Sequence, residues 1–210
     1  RRRIETLSQE LTLLSKRRED RRQRRKKNKI PLFALVGYTN AGKSTLLNAL
    51  TGAGILTEDK LFATLDTTTR QYTLPGGSEI LLTDTVGFIR NLPHHLIKAF
   101  RSTLEEAALS DILLVVIDAS DPEFAAQTEV TTNLLTELGA GDTPILYVFN
   151  KCDAGFPAES LGEVRRLTAG EGHDTVFISA KTGAGLTQLS EKLEEMIEKL
   201  RGKRRVHLFI

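Results

Sequence analysis

Of the 210 residues only one is cysteine and six are proline. A lone Cys152 cannot form an internal disulfide. That excludes a disulfide-stapled scaffold and suits a reducing compartment, so a cytoplasmic address is expected. With so few prolines, in a chain that is 40% hydrophobic and 27% charged, the polar bias of disordered proteins is missing and there is apolar material for a core. No run approaches the ~20 apolar residues that a membrane-spanning helix needs. The chain opens on Arg1, Arg2 and Arg3 rather than on a charged-then-apolar leader, so nothing reads as secreted or inserted. The length suits one domain of ordinary size with an appendage. Residue 1 is not methionine, and Val206 to Ile210 read as a strand beginning. The expectation is therefore a segment of a longer protein.

A net charge of +2 hides a division. Residues 1–29 hold 13 Lys and Arg against 4 acids, a net of +9, whereas residues 30–210 hold 16 against 23, a net of −7. In the basic part Ile4, Leu7, Leu11 and Leu14 recur at helical spacing, giving one apolar seam. The ten cationic side chains of 16–29 that follow offer nothing to a core. They read either as a solvated helix face or as a contact for nucleic acid phosphate, whose affinity would fall steeply with salt. The expected organisation is a basic helical segment at 1–29, a domain at 30–202 and the start of a C-terminal extension at 203–210.

From Ile30 on, short apolar runs alternate with longer helical patterns, which argues for an α/β sheet with helices on both faces. Strands are expected at Leu32–Val36, Gln71–Leu74, Glu79–Thr83, Ile112–Ile117, Ile145–Phe149 and Thr175–Ile178. Helices are expected at Lys43–Leu50, Leu96–Leu109, Phe124–Leu138, Ala158–Leu167 and Leu186–Arg201. Only Pro75 to Ser78 separate the second and third strands. That is too short for a parallel crossover, so the pair should be an antiparallel hairpin and the six-stranded sheet mixed, with Gln71–Leu74 at an edge.

The first strand runs into Gly37-Tyr38-Thr39-Asn40-Ala41-Gly42-Lys43-Ser44, which satisfies G-x-x-x-x-G-K-[ST] between a strand and a helix. In that setting the glycines let the backbone aim its N–H groups at phosphate, Lys43 bridges the β- and γ-phosphates, and Ser44 offers a hydroxyl to Mg²⁺. About 40 residues on, at another strand end, Asp84-Thr85-Val86-Gly87 faces the same crevice. There Asp84 can hold Mg²⁺ through a water, and the Gly87 N–H can touch a γ-phosphate present in only one nucleotide state. Between the two motifs, Gly54–Arg70 lacks periodicity and suits a loop that orders when a threonine reaches Mg²⁺. Thr64, Thr67, Thr68 and Thr69 are equally competent chemically; some of them could simply begin the edge strand.

Asn150-Lys151-Cys152-Asp153 follows a buried strand and reads as N-K-x-D. An Asp153 carboxylate accepts from both N1–H and the 2-amino group of guanine, whereas adenine would leave a desolvated charge unpaired. Two charge-assisted bonds imply discrimination of roughly a hundredfold or more. Asn150 should tie this loop to the phosphate loop, and the stem of Lys151 should pack over the base. Ser179-Ala180-Lys181 closes the set, with a backbone N–H for the guanine O6 and Lys181 over the ring. Cys152 is a small apolar filler.

In this order across residues 37–181 the elements resemble the G domain of TRAFAC-class GTPases, the Ras-like P-loop fold. Three stretches look like HflX: 37–45 through Thr45, Leu61-Phe62-Ala63-Thr64-Leu65-Asp66, and Asp84 through Gly87 continued to His94. The resemblance selects Thr64 as the switch I ligand of Mg²⁺. Thr67 stands where many members have proline, which clouds only the path of that loop. It implies that residues 1–29 are the end of a basic helical linker after an N-terminal domain. The resemblance also implies a translation-associated GTPase that binds GTP and GDP, associates with the large ribosomal subunit and its rRNA, and splits or rescues ribosomes under stress; a monomer is expected. Nine Phe and three Tyr leave little for base stacking and favour phosphate and shape contacts. The alternative is a regulatory switch controlling a protein or membrane-surface partner without the ribosome. An ATPase is disfavoured by Asp153.

Catalysis would fall to Lys43 and Gly87. Phe88 stands where Ras-like enzymes often carry a glutamine and cannot orient water, so slow turnover alone and stimulation by ribosomes are expected. Asn40 either binds K⁺ beside the phosphates or merely stabilises its loop. His94 and His95 receive no role.

Overall fold

A computed structural model describes residues 30–52, 68–88, 107, 109–155, 160–167 and 174–206. Six strands form one sheet: β1 (Leu32–Val36), β2 (Thr68–Thr73), β3 (Glu79–Asp84), β4 (Ile112–Asp118), β5 (Ile145–Asn150) and β6 (Asp174–Phe177). Among the described residues they are accompanied by the helices α1 (Lys43–Thr51), α2 (Phe124–Glu137), α3 (Leu161–Leu167) and α4 (Leu186–Val206), with a 3₁₀ turn at Cys152–Ala154. The strand order is β2-β3-β1-β4-β5-β6. Only the β2–β3 pair is antiparallel, with Thr68 opposite Asp84 and Thr73 opposite Glu79; the other four pairings are parallel. The mixed sheet and its edge hairpin are as expected.

Period-2 alternation divides the strands between two cores. Phe33, Leu35, Ile112, Leu114, Val116, Leu146 and Val148 face one side, where Leu46 and Leu47 of α1 and Leu189, Leu193, Met196 and Ile197 of α4 pack on them. Ala34, Val36, Leu113, Val115, Ile117, Tyr147 and Phe149 face the other, under Phe124 and Leu135 of α2 and Val164 of α3. Strands covered on both faces have no position for a polar residue, which is why β4 reads ILLVVI before its closing aspartate. Burying each of these large side chains contributes about 1.5–3 kcal/mol. On α2 the buried Thr128 and Thr131 donate their hydroxyls to the carbonyls of Phe124 and Gln127, so a polar stripe inside the core is satisfied locally.

Several boundaries move. β2 starts at Thr68, three residues before the expected Gln71, because β-branched Thr68 and Thr69 continue the ladder against Asp84 and Thr83. β6 ends at Phe177 rather than Ile178. α3 begins at Leu161, the residues 156–159 before it lying outside the described set. α4 runs to Val206 rather than stopping at Arg201, so Val206 ends a helix instead of opening a strand. The expected basic helix at 1–29, the 53–67 segment, most of the helix expected at Leu96–Leu109 and residues 207–210 lie outside the described residues.

Five parallel strands, β1, β3, β4, β5 and β6, end on the same side of the sheet. The loops leaving them therefore share one crevice, the place where open α/β sheets hold ligands.

Candidate nucleotide-binding site

The loop after β1 turns through two left-handed residues, Asn40 (φ 61°) and Gly42 (φ 92°), into α1. No side chain caps the start of α1, and its first turn carries no acid. The amides of that turn and the positive end of the helix dipole, equivalent to roughly half a charge, are thus kept for an anion. Lys43, only 6% exposed, donates from Nζ to the carbonyls of Tyr38 at 2.9 Å and Gly37 at 3.3 Å. Burial lowers its pKa to about 8, against the opposing pull of the Asp84 charge. The next residue, Ser44, donates from Oγ to Asp84 Oδ2 at 2.6 Å. A hydroxyl and a carboxylate are hard oxygen donors. Among the described residues no group of three or more His, Cys, Asp or Glu could hold a metal alone. This pair suits a cation that takes most of its ligands from water and phosphate.

Beyond β1 and β3 the two chains keep pairing. Tyr38 bridges Phe88 in parallel; Phe88 donates its N–H to the Gly37 carbonyl at 3.0 Å and accepts from the Thr39 N–H at 2.8 Å. Val86 and Phe88 are buried, and Thr85 Oγ1 donates to the Leu35 carbonyl at 2.6 Å. Gly87 is therefore held against the phosphate loop, close to the Lys43 ammonium.

Asn150, 2% exposed, joins three loops. Its Nδ2 donates to the Ala41 carbonyl and its Oδ1 accepts from the Ala180 N–H, each at 2.9 Å. A Cβ at residue 42 would collide with that Nδ2, so the position is glycine for reasons of space as well as of φ. Asp153 is exposed and accepts at Oδ1 from Ser179 Oγ at 2.6 Å, while Ser179 Oγ accepts from the Thr182 N–H. The Ser179 hydroxyl is the main reason the Asp153 carboxyl sits below its usual range, with the Lys181 and Lys151 charges adding to it. A second acceptor oxygen remains on a firmly ionised group. Cys152 is pinned by its N–H to the Ile178 carbonyl and by Sγ to the Phe149 carbonyl. Burial pushes its thiol pKa up, as befits a filler.

The structure thus gathers Gly37 to Thr45, Asp84 to Gly87, Asn150 to Asp153 and Ser179 to Lys181 on one edge. Phe62, Ala63, Thr64, Leu65 and Asp66 lie outside the described residues. Thr68 and Thr69 belong to β2, with Thr69 Oγ1 hydrogen-bonded to Thr83 Oγ1 at 2.8 Å. Two residues of this edge have little signature in the sequence, Asp118 at the end of β4 and Ser120 just beyond it. Their only signal was a carboxylate closing an apolar run.

The family model described as 50S ribosome-binding GTPase matches residues 32–151. The chain belongs to that family. The HflX likeness carried by the motifs extends over most of this chain. The chain is 56% identical over 195 residues to the GTPase HflX of Lacrimispora saccharolytica, covering 93% of itself and 45% of that protein. To the GTPase HflX of Caldanaerobacter subterraneus it is 51% identical over 199 residues, covering 95% and 44%. It therefore spans under half the length of these relatives. Among solved structures, a GTP-binding protein from Sulfolobus solfataricus in complex with GDP superposes with a TM-score of 0.67 at 32% identity, over 88% of this chain and 58% of that one. Era in complex with MgGDPNP and nucleotides 1506–1542 of 16S ribosomal RNA gives 0.64 at 28% identity, over 78% and 55%. The fold of this GTPase family member is Ras-like. No helix among the described residues is long and apolar enough to cross a membrane.

Proposed function

We propose that this chain is the GTP-binding and GTP-hydrolysing module of a cytoplasmic protein that acts on the large ribosomal subunit, splitting or rescuing ribosomes under stress. The observation that carries the nucleotide half is the single carboxamide of Asn150, which bonds the phosphate loop and the base-reading loop together. The ribosomal half rests on the family match and on the +9 charge of residues 1–29, the end of a helical linker suited to rRNA phosphate.

In this reading residues 37–45 cradle the phosphates, with Lys43 leaving its two carbonyl acceptors for the β- and γ-oxygens. Asp153 selects guanine, and Ala180 and Lys181 complete the base site. Ser44, Asp84 through a water, and Thr64 would hold Mg²⁺. When bound, Mg²⁺ supplies positive charge to the phosphate oxygens. The Gly87 N–H reads the γ-phosphate. Water attacks the γ-phosphorus, the bond to the bridging oxygen breaks, and GDP and phosphate leave. Phe88, buried and without a polar atom, does not orient that water, so hydrolysis is slow alone and rises on the ribosome. Asn40 would be the residue to hold a K⁺, whose charge would substitute for an arginine finger; equal GTPase rates in K⁺ and Na⁺ would dismiss this element and leave Asn40 to stabilise its loop.

Sedimentation of the full-length protein with separated ribosomal subunits tests the whole. Co-sedimentation with the large subunit in a non-hydrolysable GTP analogue and not in GDP is expected. Binding that ignores nucleotide, or none at all, overturns the ribosomal reading.

A further inference from the structure

The structure assigns Asp118 a part in holding the nucleotide: we propose that it is a positioning residue, which fixes the Lys151 ammonium so that the lysine stem lies over the purine. The inference rests on the guanine-nucleotide reading above and deepens it.

Asp118 is the last residue of β4, in register with Asn150, the last of β5. Lys151 therefore starts one residue beyond the strand end that faces Asp118. The two side chains meet, with Lys151 Nζ 2.8 Å from Asp118 Oδ2, at side-chain exposures of 30% and 17%. The carboxylate is itself anchored. Its Oδ1 accepts from Ser120 Oγ at 2.6 Å and from the Ser120 N–H at 3.1 Å, and the intervening Ala119 donates its N–H to the Asn150 carbonyl at 2.8 Å. Lys151 has φ 64°, a left-handed conformation that L residues rarely adopt, and this directs its side chain at the moment it leaves β5. A lysine stem has four rotatable bonds and is otherwise free. Here both ends are held, the backbone by its turn and the ammonium by a carboxylate that cannot swing.

The chemistry predicts a signature. Hydrocarbon laid over a ring covers any purine alike, whereas Asp153 reads the exocyclic groups of guanine. Loss of Asp118 should therefore weaken binding without changing which base is preferred. A purely structural part for Asp118, closing the Asp118–Ser120 turn, would not depend on Lys151 at all.

The test measures affinities of the full chain for GDP and for IDP, which lacks the 2-amino group, with the dissociation rate of a fluorescent GDP analogue. Asp118→Asn should weaken both nucleotides roughly tenfold through faster release and leave the GDP-to-IDP ratio unchanged. Asp118→Glu should recover part of the loss. In a Lys151→Met background, which keeps an apolar stem but no charge, Asp118→Asn should have no further effect. The proposal is overturned by a loss under twofold in Asp118→Asn, or by the same loss with and without the lysine charge. Should the unaltered chain fail to prefer GDP over ADP, the nucleotide reading falls before any variant is made.

Discussion

Gly87 and Thr39 touch backbone to backbone: a methyl group on Gly87 would lie 2.8 Å from the Thr39 Cα and 3.0 Å from the Lys43 ammonium. The ammonium sits at the end of a flexible side chain, but the Thr39 backbone cannot retreat cheaply, because Thr39 is tied to Phe88 through its N–H. Gly87→Ala should therefore displace the segment that reads the γ-phosphate. We expect single-turnover GTP hydrolysis to fall at least tenfold while GDP affinity stays within about threefold, with overpacking costing about 1–3 kcal/mol in urea denaturation.

Asn150→Ala removes two buried hydrogen bonds and leaves the Ala41 carbonyl and the Ala180 N–H without them. At about 1–3 kcal/mol for each of the two stranded groups, the nucleotide-free protein should lose about 2–6 kcal/mol. Denaturant unfolding with and without saturating GDP checks this. The GDP-induced gain in midpoint should shrink as well, because the same side chain holds the phosphate and base loops at their mutual spacing.

Asp174 at the edge strand faces Lys192 at 3.1 Å and Lys199 at 3.3 Å. Partial burial alone would raise its pKa, but hydrogen bonds and charge from the two lysines outweigh it and hold the carboxyl below its usual range. A carboxyl whose pKa is lowered by folding stabilises fully above its unfolded value of about 4, and that stabilisation is lost as pH falls through the lower folded value. Asp174→Asn should cost about 0.5–1 kcal/mol at pH 7. Urea midpoints measured from pH 7 downward should show the two proteins converging below about pH 4.

The parts legible in the sequence are those that local rules dictate. Strand β4 announced itself by an unbroken apolar run, the β2–β3 hairpin by a four-residue gap, and the phosphate loop by glycines between a strand and a helix. The tie between Asn150 and the phosphate loop also followed from the motif. Boundaries set by pairing were harder. Thr68 and Thr69 offer the same hydroxyl chemistry as Thr64, and their place in the ladder is set by the partner strand β3. Contacts that depend on which strand ends lie side by side could not be read at all. The approach of Lys151 to Asp118 is one. Another is the reach of α4 to the hairpin, where Tyr72 meets Ser190 and the Gly76 N–H meets Glu194 across 118 positions. Both require the strand order, which no periodicity encodes.

The bond from Asn150 to Ala41 spans 109 positions, and the same side chain needs Ala180 a further 30 on. A chain leaving a ribosome at about 5–20 residues per second therefore exposes its glycine-rich turn on the order of ten seconds before the residues that brace it exist. The part of the crevice that is synthesised first is completed last. A nascent chain arrested before Ala180 carries every atom of that turn and lacks its frame.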